Sequence, residues 1–126
     1  MSKGKDLGQK IWALAGSRIP MGQTGKEPEF TSHDSLWMLN TTDEDGKLEI
    51  TIYYPDKEPV GPYPLEVKAR RVRQVRFNDL IDPEAIPLEK EYGAVVVASV
   101  PIVVQFATMD TRQAANTRFV TAGYWQ

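Results

Sequence analysis

Two runs rich in β-branched residues, A-V-V-V-A-S-V and I-V-V-Q-F-A-T-M, occupy positions 94–109 and are broken near Pro101. Branching at Cβ stiffens χ1 and fits a pleated, half-buried surface better than a helix. Leu48 to Tyr54 adds a strict alternation, with Leu48, Ile50, Ile52 and Tyr54 set against Glu49, Thr51 and Tyr53. Period two of this kind marks a strand with one buried face. Further strand candidates are Ile11–Ala15, Leu36–Leu39, Leu65–Phe77 and Phe119–Trp125. No long helix and no internal repeat competes with them. The expectation is an all-β chain of seven to eight antiparallel strands, a β-sandwich with jelly-roll-like character.

The connections are read from turn chemistry. Residues 16–34 hold Gly16, Pro20, Gly22, Gly25 and Pro28 and predict a long ordered loop. T-T-D-E-D-G at 41–46 predicts a tight turn that makes 36–54 a hairpin. P-D-K-E-P-V-G-P-Y-P at 55–64 predicts a proline-rich connector, and Asn78–Glu91, with Pro83 and Pro87, a loop. T-R-Q-A-A-N-T-R-F, from residue 111, has room for a short helical turn. The 126 residues are expected to form a single domain, with residues 1–8 polar and frayed.

Charge and composition exclude several classes. Seventeen acidic against fifteen basic residues leave a net charge of −2, so no global field draws the chain to DNA or an anionic membrane. With no cysteine there is no disulfide framework, thiolate nucleophile or thiolate metal site, which suits a cytoplasmic home. The N-terminus lacks the apolar core of a signal peptide, and no segment approaches the roughly 20 apolar residues of a membrane span. His33 is the only histidine, so neither a zinc nor a copper site is expected. Ser32-His33-Asp34 are neighbours in sequence, which is not the geometry of a triad. No glycine-rich phosphate loop is present. The expectation is a protein that is not an enzyme and carries no cofactor.

One stretch departs from the pattern. R-R-V-R-Q-V-R at 70–76 places four arginines in seven residues of an acidic chain. In an extended strand Leu65, Val67, Ala69, Arg71, Arg73, Val75 and Phe77 share one face, while Glu66, Lys68, Arg70, Val72, Gln74 and Arg76 share the other. Neither face is apolar. An inward arginine needs a partner, because an unpaired buried charge is very costly. Either the sheet breaks here, or the strand lines a polar cavity or interface, or it is a solvated edge blunted by charge. Gln105 raises the same question, as a lone amide in an apolar run. Trp12, Trp37, Trp125, Tyr53, Tyr54 and Tyr63 supply flat faces suited to cores, sugar rings or interfaces.

E-I-T-I-Y-Y-P-D-K-E-P-V-G-P-Y (49–63), A-R-R-V-R-Q-V-R-F-N-D-L (69–80) and V-P-I-V-V-Q (100–105) closely resemble the sensory rhodopsin transducer family. E-P-E-F-T-S-H (27–33) and D-T-R-Q-A (110–114) are similar too, in one register from about Trp12 to the C-terminus. The resemblance implies a small cytosolic β-sandwich that assembles as a homotetramer. It implies a non-enzymatic domain that binds a small molecule, sugar-like or anionic. Its alternative is a soluble transducer of a membrane photoreceptor rhodopsin, with weak DNA binding. On the first reading Arg70, Arg71 and Arg76 offer forked donors. Asn78, Gln105 and His33 read hydroxyl positions, and Trp12 or Tyr54 stacks on a ring. As a pure adaptor, the chain would instead pair 70–76 with Asp43, Glu44 or Asp45 of a neighbouring subunit. Gly123-Tyr124-Trp125 and the lysine-bearing N-terminus depart from the family pattern.

Overall fold

The computed structural model describes residues 7–19, 33–87, 89–110, 117–121 and 124–125. Among them are eight strands: β1 (Gln9–Arg18), β2 (His33–Asn40), β3 (Gly46–Tyr53), β4 (Val60–Val67), β5 (Arg71–Arg76), β6 (Glu91–Asp110), β7 (Thr117–Thr121) and β8 (Tyr124–Trp125). One helical turn, a 3-10 turn at Phe77–Asp79, follows β5. Every pairing is antiparallel. The all-β expectation and the strand number are met.

β6 organises the molecule. Its first half pairs with β1 and β3, and its second half with β2 and β7. One layer therefore runs β4-β3-β6-β1-β8 and the other β5-β2-β6-β7, with β6 shared. Its even-numbered residues from Tyr92 to Phe106 are all buried, so one apolar face runs the whole strand. Leu48, Ile50 and Ile52 of β3, Trp12 and Leu14 of β1, and Leu36 and Met38 of β2 join them in one core. The arrangement is β-sandwich-like.

Several local expectations are corrected. Pro101 does not break β6, which runs unbroken for 20 residues. β3 pairs up to Ala98 and β2 takes over at Val103, so the proline sits where the ladder changes partners and a missing N–H is tolerated. The segment 36–54 is not a hairpin, because β2 and β3 lie in different layers and do not pair. The turn between them is a crossing, held by buried Asn40. Its Nδ2 donates to the carbonyls of Glu44 and Val67 at 2.8 and 3.0 Å, and its Oδ1 accepts from the Thr42 N–H and hydroxyl at 2.9 and 2.8 Å. The proline-rich connector is half strand. β4 carries Pro62 and Pro64 because it is an edge strand, where a missing N–H costs no ladder bond.

The expected loop at 16–34 is strand at both ends, to Arg18 and from His33, and 20–32 lie outside the described residues. The helical turn near 111 lies largely outside them too. Thr117–Thr121 is strand, paired to β6, while Tyr124–Trp125 pairs to β1. The single strand read over 65–77 is two, in different layers, with a turn at 68–70 where Arg70 takes φ 54°. The mixed phase of the arginine stretch thus has a simple cause: the sheet breaks there.

Candidate functional site

At one end of the β1-β6-β3 layer, Tyr53 of β3 lies opposite Gly93 of β6, and Arg18 of β1 lies opposite Glu91. Between Leu14 and Ser17 β1 gains one residue over its partner. A bulge of this kind bends a strand away from its neighbour. Ala15 and Gly16, at the bulge, border a cavity of about 580 Å³ whose other walls include Tyr53, Tyr54, Arg18 and Glu91. Gly93 forms part of it, and a Cβ there would sit 2.9 Å from the Leu14 carbonyl oxygen. A second hollow of about 550 Å³ shares Arg18, Pro55 and Glu91 and extends toward Asp56 and Lys90.

The walls are aromatic and the rim is ionic. Lys57 and Lys90 place their ammonium groups 4.8 and 5.7 Å from the centre of the Tyr54 ring. The Tyr54 hydroxyl is buried and has no hydrogen-bond partner among the described residues. Burial, reinforced by the charge of Glu84, pushes its pKa up, so the phenol stays protonated and can donate. Arg18 meets Glu89 at 2.9 Å and Lys90 meets Asp56 at 2.8 Å. The hydrogen bond from Lys90 holds the Asp56 carboxyl below its ordinary range. Behind the cavity, the Tyr92 hydroxyl donates to fully buried Asp34 of β2 at 2.5 Å. The Asp34 N–H in turn donates to Asn78 Oδ1 at 3.4 Å. A polar chain therefore leads from the cavity wall through β2 to the turn after β5.

The sequence shortlist is spread over the molecule. Among the described shortlist residues, Tyr54 alone borders the cavity. Trp12 lies in the core, its Nε1 donating to the carbonyls of Ile102 and Gln9 at 3.0 and 3.1 Å. Arg70 is exposed in the turn, 3.6 Å from Asp43 of its own chain, and its N–H donates to the Thr42 carbonyl at 3.1 Å. Arg71 is exposed at the start of β5. Arg76, half-buried, stands at the far end beside Ser35, close to Asn78. Gln105 is exposed opposite Trp37, which faces Gln74 on its other side. His33 opens β2 opposite Met109, and its side chain lies outside the described residues. Arg73, Gln74 and Arg76 border a smaller recess of about 380 Å³, with Asp79 opposite.

Arg18 and Glu91 went unread in sequence. Tyr53 was read as one of several flat aromatic faces and as the polar phase of an alternating strand, without being placed in a site. The other two meet it through a pairing between positions more than seventy residues apart. Among the described residues no group of three or more metal-binding side chains is assembled. Among the described residues no helix is long and apolar enough to cross a membrane.

Two solved structures are similar along most of the chain. The crystal structure of Thermotoga maritima 1070 matches with a TM-score of 0.85 and 31% identity, covering 94% of this chain and 96% of that one. The Anabaena sensory rhodopsin transducer matches with a TM-score of 0.74 and 51% identity, covering 82% of this chain and 99% of that one. No curated protein matches. Residues 7–125 match the family described as Anabaena sensory rhodopsin transducer, and with these likenesses the chain belongs to that family.

Proposed function

We propose that the protein is a non-enzymatic, cytoplasmic, single-domain signalling protein that senses a small sugar-like or anionic metabolite as a homotetramer. The observation that carries this reading is the cavity at the end of β1, β3 and β6, where the aromatic walls of Tyr53 and Tyr54 meet the charges of Arg18 and Glu91. A flat ring suits one wall, and hydroxyl or carboxylate groups suit the other. The Tyr54 hydroxyl offers a buried donor. The hydrogen bonds from Tyr92 through Asp34 to Asn78 supply a contiguous route by which an occupied cavity reaches the opposite layer. This moves the ligand away from Arg70, Arg71 and Arg76, which do not converge.

A thermal-shift panel of sugars, sugar acids, sugar phosphates and nucleotides tests it. A ligand at about a hundred times its Kd adds roughly 2.7 kcal/mol, a rise on the order of 10 °C for a domain of this size. The expected result is a shift confined to one chemical class, lost in Arg18→Ala and Tyr53→Ala and kept in Arg71→Ala. A flat panel overturns the reading.

A second reading draws on the 51% identity to the Anabaena transducer. On it the chain is the soluble partner of a membrane photoreceptor, with weak DNA contact through the arginines. Any such contact should fall steeply with added salt. The arginine turn is flanked by Asp43, Asp45 and Glu66, each paired to a cation, so its phosphate-attracting field is reduced.

A further inference from the structure

Strand β5 is laddered on one side only among the described residues, to β2. Along Arg71–Arg76 the strand therefore presents an edge of backbone donors and acceptors that β2 does not use. Charged side chains usually protect such an edge. On β5, Arg71 and Arg73 share one face, and Arg76 lies on the other at the far end of the strand. Arg71 and Arg73 stand opposite Asn40 and Met38, while Val72 and Gln74 stand opposite Leu39 and Trp37 on the other face. All four residues are exposed.

Among the described residues the two guanidiniums have no acidic partner. Arg18, Lys47, Lys57, Lys68, Arg70 and Lys90 each pair with a carboxylate. Arg71 and Arg73 have none within ion-pair distance among the described residues. Arg71 donates to the Arg70 carbonyl at 3.0 Å and Arg73 to the Glu66 carbonyl at 2.7 Å. On the opposite face Val72 is 61% exposed and Leu39 38%. With Val103, the next residue across, they form an apolar row over β5, β2 and β6.

We propose that β5 is a docking edge for an acidic, extended peptide segment of a partner protein, which adds to the sheet as one more strand. Alternate residues of an extended segment lie about 7 Å apart on one face, so carboxylates at every second position match Arg71 and Arg73. The intervening side chains, apolar and β-branched, continue the row that begins at Val72. Charge argues against a second copy as the occupant, because β5 against β5 sets arginine against arginine. The open edge, rather than charge, argues against nucleic acid, which has no backbone amides to fill it. The inference does not depend on the cavity of β1, β3 and β6.

The test uses the full chain and a synthetic peptide alternating glutamate and valine over the length of β5. The expected result is saturable binding that weakens with salt, with new hydrogen-exchange protection confined to Arg71–Arg76. N-methylation of alternate peptide amides, which keeps charge and removes the ladder, abolishes binding. The double substitution Arg71→Glu, Arg73→Glu leaves the melting temperature within a few degrees and weakens binding by about tenfold or more. Four results overturn the proposal: no saturable binding; equal binding of the methylated peptide, which means charge alone; protection in the free protein of the β5 amides that point away from β2, which means another copy holds the edge; and duplex DNA bound through these arginines that the peptide does not displace.

Discussion

Phe77→Ala lowers the unfolding free energy by about 3–5 kcal/mol, the usual range for emptying a buried phenylalanine site. Phe77 is 1% exposed and opens the 3-10 turn after β5. Its ring centre lies 5.5 Å from that of Tyr92 in an edge-on arrangement and 5.9 Å from that of Phe106. Tyr92 stands near the start of β6, within the layer that pairs with β1 and β3. Phe106 stands near its end, in the layer that pairs with β2 and β7. One side chain therefore fills the junction between the two layers. Its removal takes away the transfer term and the ring–ring contacts, and the two layers cannot both collapse onto the gap. At roughly 3–5 °C per kcal/mol for a domain of this size, the melting temperature falls by on the order of 10–20 °C. Phe77→Leu refills most of the volume and recovers part of the loss. Thermal and urea unfolding measure it; a loss below about 1 kcal/mol would show that the junction is not packed as described.

Asn40→Ala is expected to cost about 3–4 kcal/mol, for a different reason. Asn40 is fully buried and all its bonds serve the crossing between β2 and β3. Alanine leaves the Val67 and Glu44 carbonyls and the Thr42 N–H without these partners, and an orphaned buried group costs more than a made bond gains. Thr42→Ala removes the hydroxyl that accepts from the Glu44 N–H and has Asn40 Oδ1 and the Glu44 carbonyl within reach of its single proton. Its cost should be about 1–2 kcal/mol. Because the two residues share one network, the double substitution should cost less than the two single costs added. Strict additivity in a double-mutant cycle would mean that Asn40 does not organise the crossing.

Much of the strand content was legible because its cause is local. Alternation along Leu48–Tyr54 appears in the structure as buried Leu48, Ile50 and Ile52 against exposed Glu49 and Tyr53. The β-branched runs around Pro101 are strand, and the acidic turn is a turn. The errors fall where local chemistry is correct but the partner is remote. D-E-D-G between two strands signals a reversal of the chain, but not whether the second strand pairs with the first or crosses to another layer. Buried Asn40 decided that, through a bond to Val67, twenty-seven residues away. A proline in a strand run is a break in the middle of a ladder, an edge marker in β4, and harmless in β6 where partners change hands.

The candidate site was less legible for the same reason. Contiguous arginines attract notice, yet neighbours in a strand point to opposite faces, and Arg70, in the turn where the sheet breaks, is held from Arg76 by the length of β5. The cavity is built from Arg18, Tyr53, Tyr54 and Glu91, drawn from β1, from β3 and its exit, and from β6. A one-residue bulge in β1 opens it. Sequence alone settled that the chain is made of strands, because branching at Cβ and alternation of polarity act within a few residues. Only tertiary structure decided which strands meet, since pairing and register depend on side chains that become neighbours only once the core has closed.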